Sequence, residues 1–260
     1  MTASIDPNVI YSQNGPVFAL QMHRPEKKNA LTQTMYRALA EGLRYADAEA
    51  SIKVIVIQGT AECFTSGNDV NDFVVTTDGQ SERPSVQFMK AICHARKPVI
   101  AAVNGLAIGI GTTMLLHCDL VYVSDEARLA MPFASLGLVP EFASSLILPQ
   151  LVGQARAAEK LLLGDPFTAE EAVEMRIANA VLPAGEVLRH ARRMAERFNT
   201  LPPGAVRDSK QLLRRASVER VLETINAEAI IFGQRLSSPE ATEAFSAFFQ
   251  KRKPDFSAFE

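Results

Sequence analysis

The chain has 260 residues with 27 Lys plus Arg against 29 Asp plus Glu, so no charge excess recruits nucleic acid or an anionic membrane as a general partner. Hydrophobic residues make up 47%, enough at this length for a sizeable core and too much for a disordered chain. The three cysteines, Cys63, Cys93 and Cys118, are scattered and odd in number, which fits neither a disulfide framework nor a zinc pair.

In chain order, Met1-Thr-Ala-Ser-Ile-Asp-Pro lacks the basic start and apolar run of a signal peptide. The last residues, Ala258-Phe-Glu260, are not a peroxisomal Ser-Lys-Leu signal, so a cytoplasmic location is expected. Val9–Ser12 and Val17–Met22 flank Asn14-Gly15, a hairpin signal. Thr32 caps a predicted helix with Met35, Leu39, Leu43 and Ala46 on one face. Lys53–Gln58 reads as a buried strand ended by Gly59. A helix near 85–95 then leads to a second buried strand over Pro98–Val103, and Asp119–Ser124 is a third. The longest apolar run, around Val99–Val103, is too short to span a bilayer. Strands alternating with helices predict an α/β fold with largely parallel pairing.

Beyond this the pattern turns helical, over 151–163, 169–175 and 186–199, with a short extended break at Ile177–Leu182. Pro202-Pro203-Gly204 punctuates the chain before helices near 205–216, 218–236 and 239–251. A boundary near residue 199 divides a core, residues 1–198, from a helical region, 199–260. Those last helices have no obvious core of their own, and a subunit interface is one candidate for the surface they cover.

Three segments could carry chemistry. Cys63-Phe-Thr-Ser-Gly67-Asn68-Asp69 follows a buried strand, and its small residues allow a tight turn with free N–H groups. It also fits a plain βα turn with an Asp cap. Asn104-Gly105 through Gly109-Ile110-Gly111 also follows a strand and precedes a helix, but Met114 stands where a dinucleotide fingerprint needs its third glycine. Glycine for helix–strand packing explains it equally. Pro140-Glu141-Phe142 sets a glutamate among Leu138, Val139 and Phe142, where desolvation would raise its pKa toward that of a neutral-pH base. A helix-start acid is the plainer alternative. No serine stands in a Gly-x-Ser-x-Gly elbow, and His23, His94, His117 and His190 lack metal-like spacing, so no metal site is expected.

Arg24-Pro-Glu-Lys-Lys-Asn-Ala-Leu31, Phe64–Asp69, Asn104-Gly105 through Cys118-Asp119, and Phe248-Phe-Gln-Lys-Arg-Lys253-Pro-Asp-Phe256 recur in order and spacing across essentially the whole chain. Together they resemble the crotonase family, the enoyl-CoA hydratase/isomerase superfamily. The resemblance implies a crotonase-like ββα spiral core, a carboxyl-terminal helical region, and homo-trimers that often pair into hexamers. It implies an acyl-CoA thioester substrate, with coenzyme A arriving as part of it and no permanently bound cofactor. By the same resemblance the backbone N–H groups of Asn68 and Ile110 form an oxyanion hole for a thioester enolate. Lys27, Ser66, Gly67, Asp69, Phe248 and Lys251 match coenzyme A contacts.

Hydratases of this family carry two glutamates, and the matching positions here are Thr113 and Phe133, neither of which can be a general base. Glu141 matches the single glutamate of peroxisomal-type Δ3,Δ2-enoyl-CoA isomerases. The expected activity is therefore a single-base shift of a 3-enoyl-CoA double bond to the 2-position. A hydratase with a non-standard acid/base set and a non-catalytic acyl-CoA-binding homologue are the alternatives. The polar segment from Val70 to Pro84 is expected to border the acyl pocket.

Overall fold

The computed structural model describes residues 3–73 and 83–259. Its first elements follow from turn and cap chemistry. β1 (Val9–Asn14) and β2 (Val17–Met22) pair antiparallel through a tight turn in which Gly15 takes φ 55°. The Thr32 hydroxyl accepts the Met35 N–H at 3.2 Å and starts α1 (Gln33–Ala48). From β2 onward the main sheet is parallel. β3 (Val54–Gln58), β5 (Val99–Val103), β7 (Leu120–Ser124) and β10 (Ala180–Leu182) complete the order β1-β2-β3-β5-β7-β10.

Every residue of β3 and β5 is buried, as central parallel strands require. Their alternate side chains face opposite ways. Ile55, Ile57, Val99, Ala101 and Val103 join Phe18 and Leu20 in the core that takes in Met35, Leu39 and Leu43 of α1. Val54, Val56, Ile100 and Ala102 face Val187, Ala191 and Ala195 of a later helix (Val187–Arg197). Each large aliphatic buried this way contributes roughly 1.5–3 kcal/mol.

A second, smaller sheet escaped the sequence reading because its strands are two or three residues long. It runs β4 (Cys63–Thr65), β6 (Leu106–Ile108), β8 (Arg128–Ala130) and β9 (Phe167–Thr168), with β4, β6 and β8 parallel. Main-sheet strand, small-sheet strand, then helix is the repeating unit. β3 and β4 lead to α2 (Pro84–His94), and β5 and β6 lead to α3 (Ile110–Thr113). This is the ββα spiral of the crotonase fold.

The helix expected over 151–163 is corrected: it starts at Ser144 and is broken. α4 (Ser144–Val152) ends where Gly153 takes φ 80°, and α5 (Gln154–Ala158) runs into a π-helical turn over Glu159–Leu163. The extended break at Ile177–Leu182 narrows to β10. α6 (Ala169–Glu174) and α7, the Val187–Arg197 helix, fall close to expectation.

α8 (Pro203–Arg214), α9 (Val218–Leu236) and α10 (Pro239–Gln250) close the chain. α8 is anchored by charge: Asp119 accepts from Lys210 Nζ at 2.7 Å and Arg214 at 3.0 Å, and Lys210 also donates to the Lys97 carbonyl. α9 is anchored by Val221, Ile225 and Phe232, which join the main core. Among the described residues no helix is long and apolar enough to cross a membrane.

Candidate active site

Parallel pairing of β4 with β6 brings two of the sequence segments together, because the turns that follow both strands leave at the same end. In the first turn, Gly67 takes φ 95°, and an added Cβ would lie 2.8 Å from the Ile108 carbonyl oxygen. In the second, Gly109 takes φ 57° and leads into α3, whose first residue is Ile110.

The first turn is pinned to the Arg24–Leu31 segment. Leu31 N–H donates to Gly67 O at 2.8 Å, Asp69 N–H to Leu31 O at 2.9 Å and Ser66 N–H to Lys28 O at 2.9 Å. Asn29 takes φ 55° and donates through Nδ2 to the Cys63 carbonyl at 2.7 Å. Burial alone would raise the Asp69 carboxyl, but bonds from Arg24 at 2.7 Å and from Asn71 hold it below its ordinary value. With these contacts made, the N–H groups of Asn68 and Ile110 have no acceptor among the described residues. For Ile110 that is the ordinary condition of a helix's first N–H.

Glu141 lies at the other side of the same site. It is 7% exposed, and its Oε1 accepts from Asn68 Nδ2 at 3.4 Å. The Tyr36 hydroxyl, carried by α1, donates to Asn68 Oδ1 and so fixes which end of the amide faces the carboxylate. Burial lifts the Tyr36 phenol well above its usual value, so it stays a donor. Glu141 is pushed up to about 8, first by burial and second by the neighbouring Glu228 carboxylate; the Asn68 bond opposes both.

Glu141 and Asn68 face a cavity of about 40 Å³ with Gln33 from α1, Met89 from α2, and Ile225 and Phe232 from α9. Arg83 and Ser85, at the start of α2, line it too. Of the segment expected to border the acyl pocket, residues 74–82 lie outside the described residues. Among the described residues, Glu141 is the one carboxylate lining this cavity.

The backbone after Glu141 is held against its preference. Phe142 and Ala143 both take left-handed conformations, φ 62° and 55°. The Phe142 carbonyl accepts from His117 Nε2 at 2.7 Å, and the two rings stack at 3.9 Å. Burial lowers His117 to about 4, leaving the ring neutral with Nδ1 toward the Cys93 thiol. From α9, Glu228 accepts Ala143 N–H at 2.6 Å, Ser145 N–H at 3.1 Å and the Ser145 hydroxyl. Sequence reading missed Glu228. Its signal is a glutamate in the apolar series Val221, Ile225, Glu228, Phe232 at helical spacing.

Thr113 is fully buried, its hydroxyl unpartnered among the described residues, and Phe133 is buried with its ring beside Gly109. Lys27 is exposed at the end of the Pro25–Lys27 turn, and Ser66 Oγ reaches its carbonyl. Phe248 and Lys251 are exposed at the end of α10 and do not line the Glu141 cavity.

Comparison with known proteins identifies the family and the fold. The profile of the enoyl-CoA hydratase/isomerase family matches residues 12–258. Enoyl-CoA delta isomerase 2 of Rattus norvegicus is 32% identical over 95% of this chain, which spans 64% of that protein's length. The 2,3-dehydroadipyl-CoA hydratase of Escherichia coli is also 32% identical, over 95% of this chain and 98% of its own. Among solved structures, Pseudomonas aeruginosa OdaA superposes with a TM-score of 0.91 at 48% identity, covering 94% of this chain and 99% of its own. With a profile match across nearly the whole sequence and the same fold in its neighbours, this chain belongs to the enoyl-CoA hydratase/isomerase family.

Proposed function

We propose that this protein is a Δ3,Δ2-enoyl-CoA isomerase with Glu141 as its single acid/base. The observation that carries the reading is that one buried carboxylate, raised to about 8, stands on the cavity with Asn68. A carboxylate raised this far is a stronger base than an exposed one and still ionises near neutrality.

The chemistry follows from that placement. Ionised Glu141 takes the C2 proton of a 3-enoyl thioester. The electron pair spreads over the thioester as a dienolate, whose oxygen receives the N–H groups of Asn68 and Ile110. Each such donor is worth roughly 2.7–4 kcal/mol in a transition state. The protonated carboxyl then returns its proton at C4, leaving the double bond between C2 and C3 and the enzyme unchanged. No water is consumed, and the apolar walls supplied by Met89, Ile225 and Phe232 keep it from the intermediate. The coenzyme A portion is assigned to Lys27, Ser66, Gly67 and Asp69, with Phe248 and Lys251 contributing from α10.

A homo-trimer, or a dimer of trimers, is the assembly we infer. Leu212, Leu213, Ile230, Ile231, Phe248 and Phe249 are exposed on the last three helices, which supports a covered face there.

The test is turnover of 3-enoyl-CoA, followed as conjugated thioester formation, beside hydration of crotonyl-CoA. Wild type should isomerise, and Glu141→Gln should lose about 10²–10⁴-fold in kcat. Efficient hydration without isomerisation would instead favour a hydratase with an unusual acid/base set. Acyl-CoA binding without turnover would favour a binding protein.

A further inference from the structure

Glu228 is a buried carboxylate for which the reaction above has no use. It is 7% exposed, yet no cation touches it among the described residues. Its three bonds all come from the segment just after the base. Oε2 accepts from Ala143 N–H, and Oε1 accepts from Ser145 N–H and the Ser145 hydroxyl.

That segment has two problems of its own. α4 begins at Ser144, and its N-cap residue is Ala143, which has no side chain able to cap the first N–H groups. Phe142 and Ala143 also sit in the left-handed region, a strained conformation for residues that carry a Cβ. A carboxylate from α9 resolves both: it caps α4 from outside and takes two N–H groups that the turn aims at one point. Burial pushes the Glu228 carboxyl above its ordinary value, and the bonds from Ala143 and Ser145, all of them donors, work against that rise and favour its ionised form.

We propose that Glu228 is a positioning residue for Glu141, holding the strained Phe142–Ala143 turn in place and standing behind the base as a carboxylate held by donors. This rests on the reading of Glu141 as the base. One consequence separates it from a plain structural brace. The negative charge opposes ionisation of Glu141, in the same direction as burial. Removing the charge while keeping the shape should therefore make Glu141 a weaker, more readily ionised base.

Other titratable groups around Glu141 do not substitute for this effect. Tyr36 on α1 is neutral, His117 behind Phe142 is neutral, and Arg83 at the start of α2, which lines the cavity, carries the opposite charge. Asp72 is directed to the Gln33 N–H at 2.7 Å.

The experiment compares wild type with Glu228→Gln and Ser145→Ala, each checked for folding by its Tm. Two readouts are taken: the pH profile of kcat/KM, and the Glu141 carboxyl titration followed by carbon-13 NMR, assigned with Glu141→Gln. Glu228→Gln should move the Glu141 titration, and the acid limb with it, down by about one pH unit, the scale of a neighbouring like charge. It should also lower kcat at high pH by about tenfold through a looser turn, with KM little changed. Ser145→Ala should lower kcat in the same way while leaving the titration nearer its wild-type position.

If Glu228→Gln folds and both readouts match wild type, the inference is overturned. The NMR arm needs no turnover. A shifted titration in a protein that isomerises nothing would sustain the role of Glu228 and sink the isomerase reading instead.

Discussion

Replacing Glu141 with glutamine should stabilise the protein, and the gain should grow with pH. The carboxyl moves from an ordinary value of 4.5 to about 8 in the fold, mainly through burial. Its folded value is raised, so the folded state holds a proton that the unfolded chain releases, and stability falls as pH rises between those two values. At about 1.4 kcal/mol per pH unit, the penalty is roughly 1 kcal/mol at pH 5, 3 at pH 7 and 4–5 at pH 9. Glutamine has nearly the same shape and cannot ionise. The difference in unfolding free energy between Glu141→Gln and wild type should therefore widen by on the order of 2–4 kcal/mol from pH 5 to pH 9. Urea unfolding of both proteins at the two pH values measures this, and the subtraction removes titrations common to both. A gap that stays constant with pH would mean that Glu141 ionises as freely in the fold as outside it. The basis for its role as a base near neutrality would then be gone.

Two further substitutions probe how the site is held. Tyr36→Phe removes the donor to Asn68 Oδ1, frees the amide to turn, and weakens the bond that favours ionised Glu141. The acid limb of kcat/KM should move to higher pH, opposite in sign to Glu228→Gln, with about tenfold lower activity at pH 7; an unmoved limb would contradict the Tyr36–Asn68–Glu141 relay. Gly67→Ala puts a methyl 2.8 Å from the Ile108 carbonyl oxygen on a residue at φ 95°. It should cost about 1–3 kcal/mol in urea and about 10²–10³-fold in kcat by displacing the Asn68 N–H; wild-type kinetics would exclude that turn from the reaction.

Some of this architecture is readable from local chemistry. Asn14-Gly15 specifies the hairpin, Thr32 the start of α1, and the unbroken apolar runs at 54–57 and 99–103 the doubly covered strands. Glu141 stood out because a glutamate among apolar neighbours is costly without a reason. What escaped depends on partners distant in sequence. Strands such as Phe167–Thr168 are too short to show a period and exist through their neighbours. The start of α4 was misplaced because its cap is not local: Glu228 supplies it from 83 to 85 residues away. Glu228 itself carried a signal, a charge on the buried stripe of α9, whose meaning depends on what that stripe packs against.

The single-base mechanism makes a claim about one proton, and isotopic labelling tests it most directly. A 3-enoyl-CoA deuterated at C2 should yield 2-enoyl-CoA with part of that deuterium at C4, carried by Glu141, and no oxygen taken from oxygen-18 water. Complete loss of the label to solvent, with oxygen-18 appearing in a 3-hydroxyacyl-CoA product, would contradict the account.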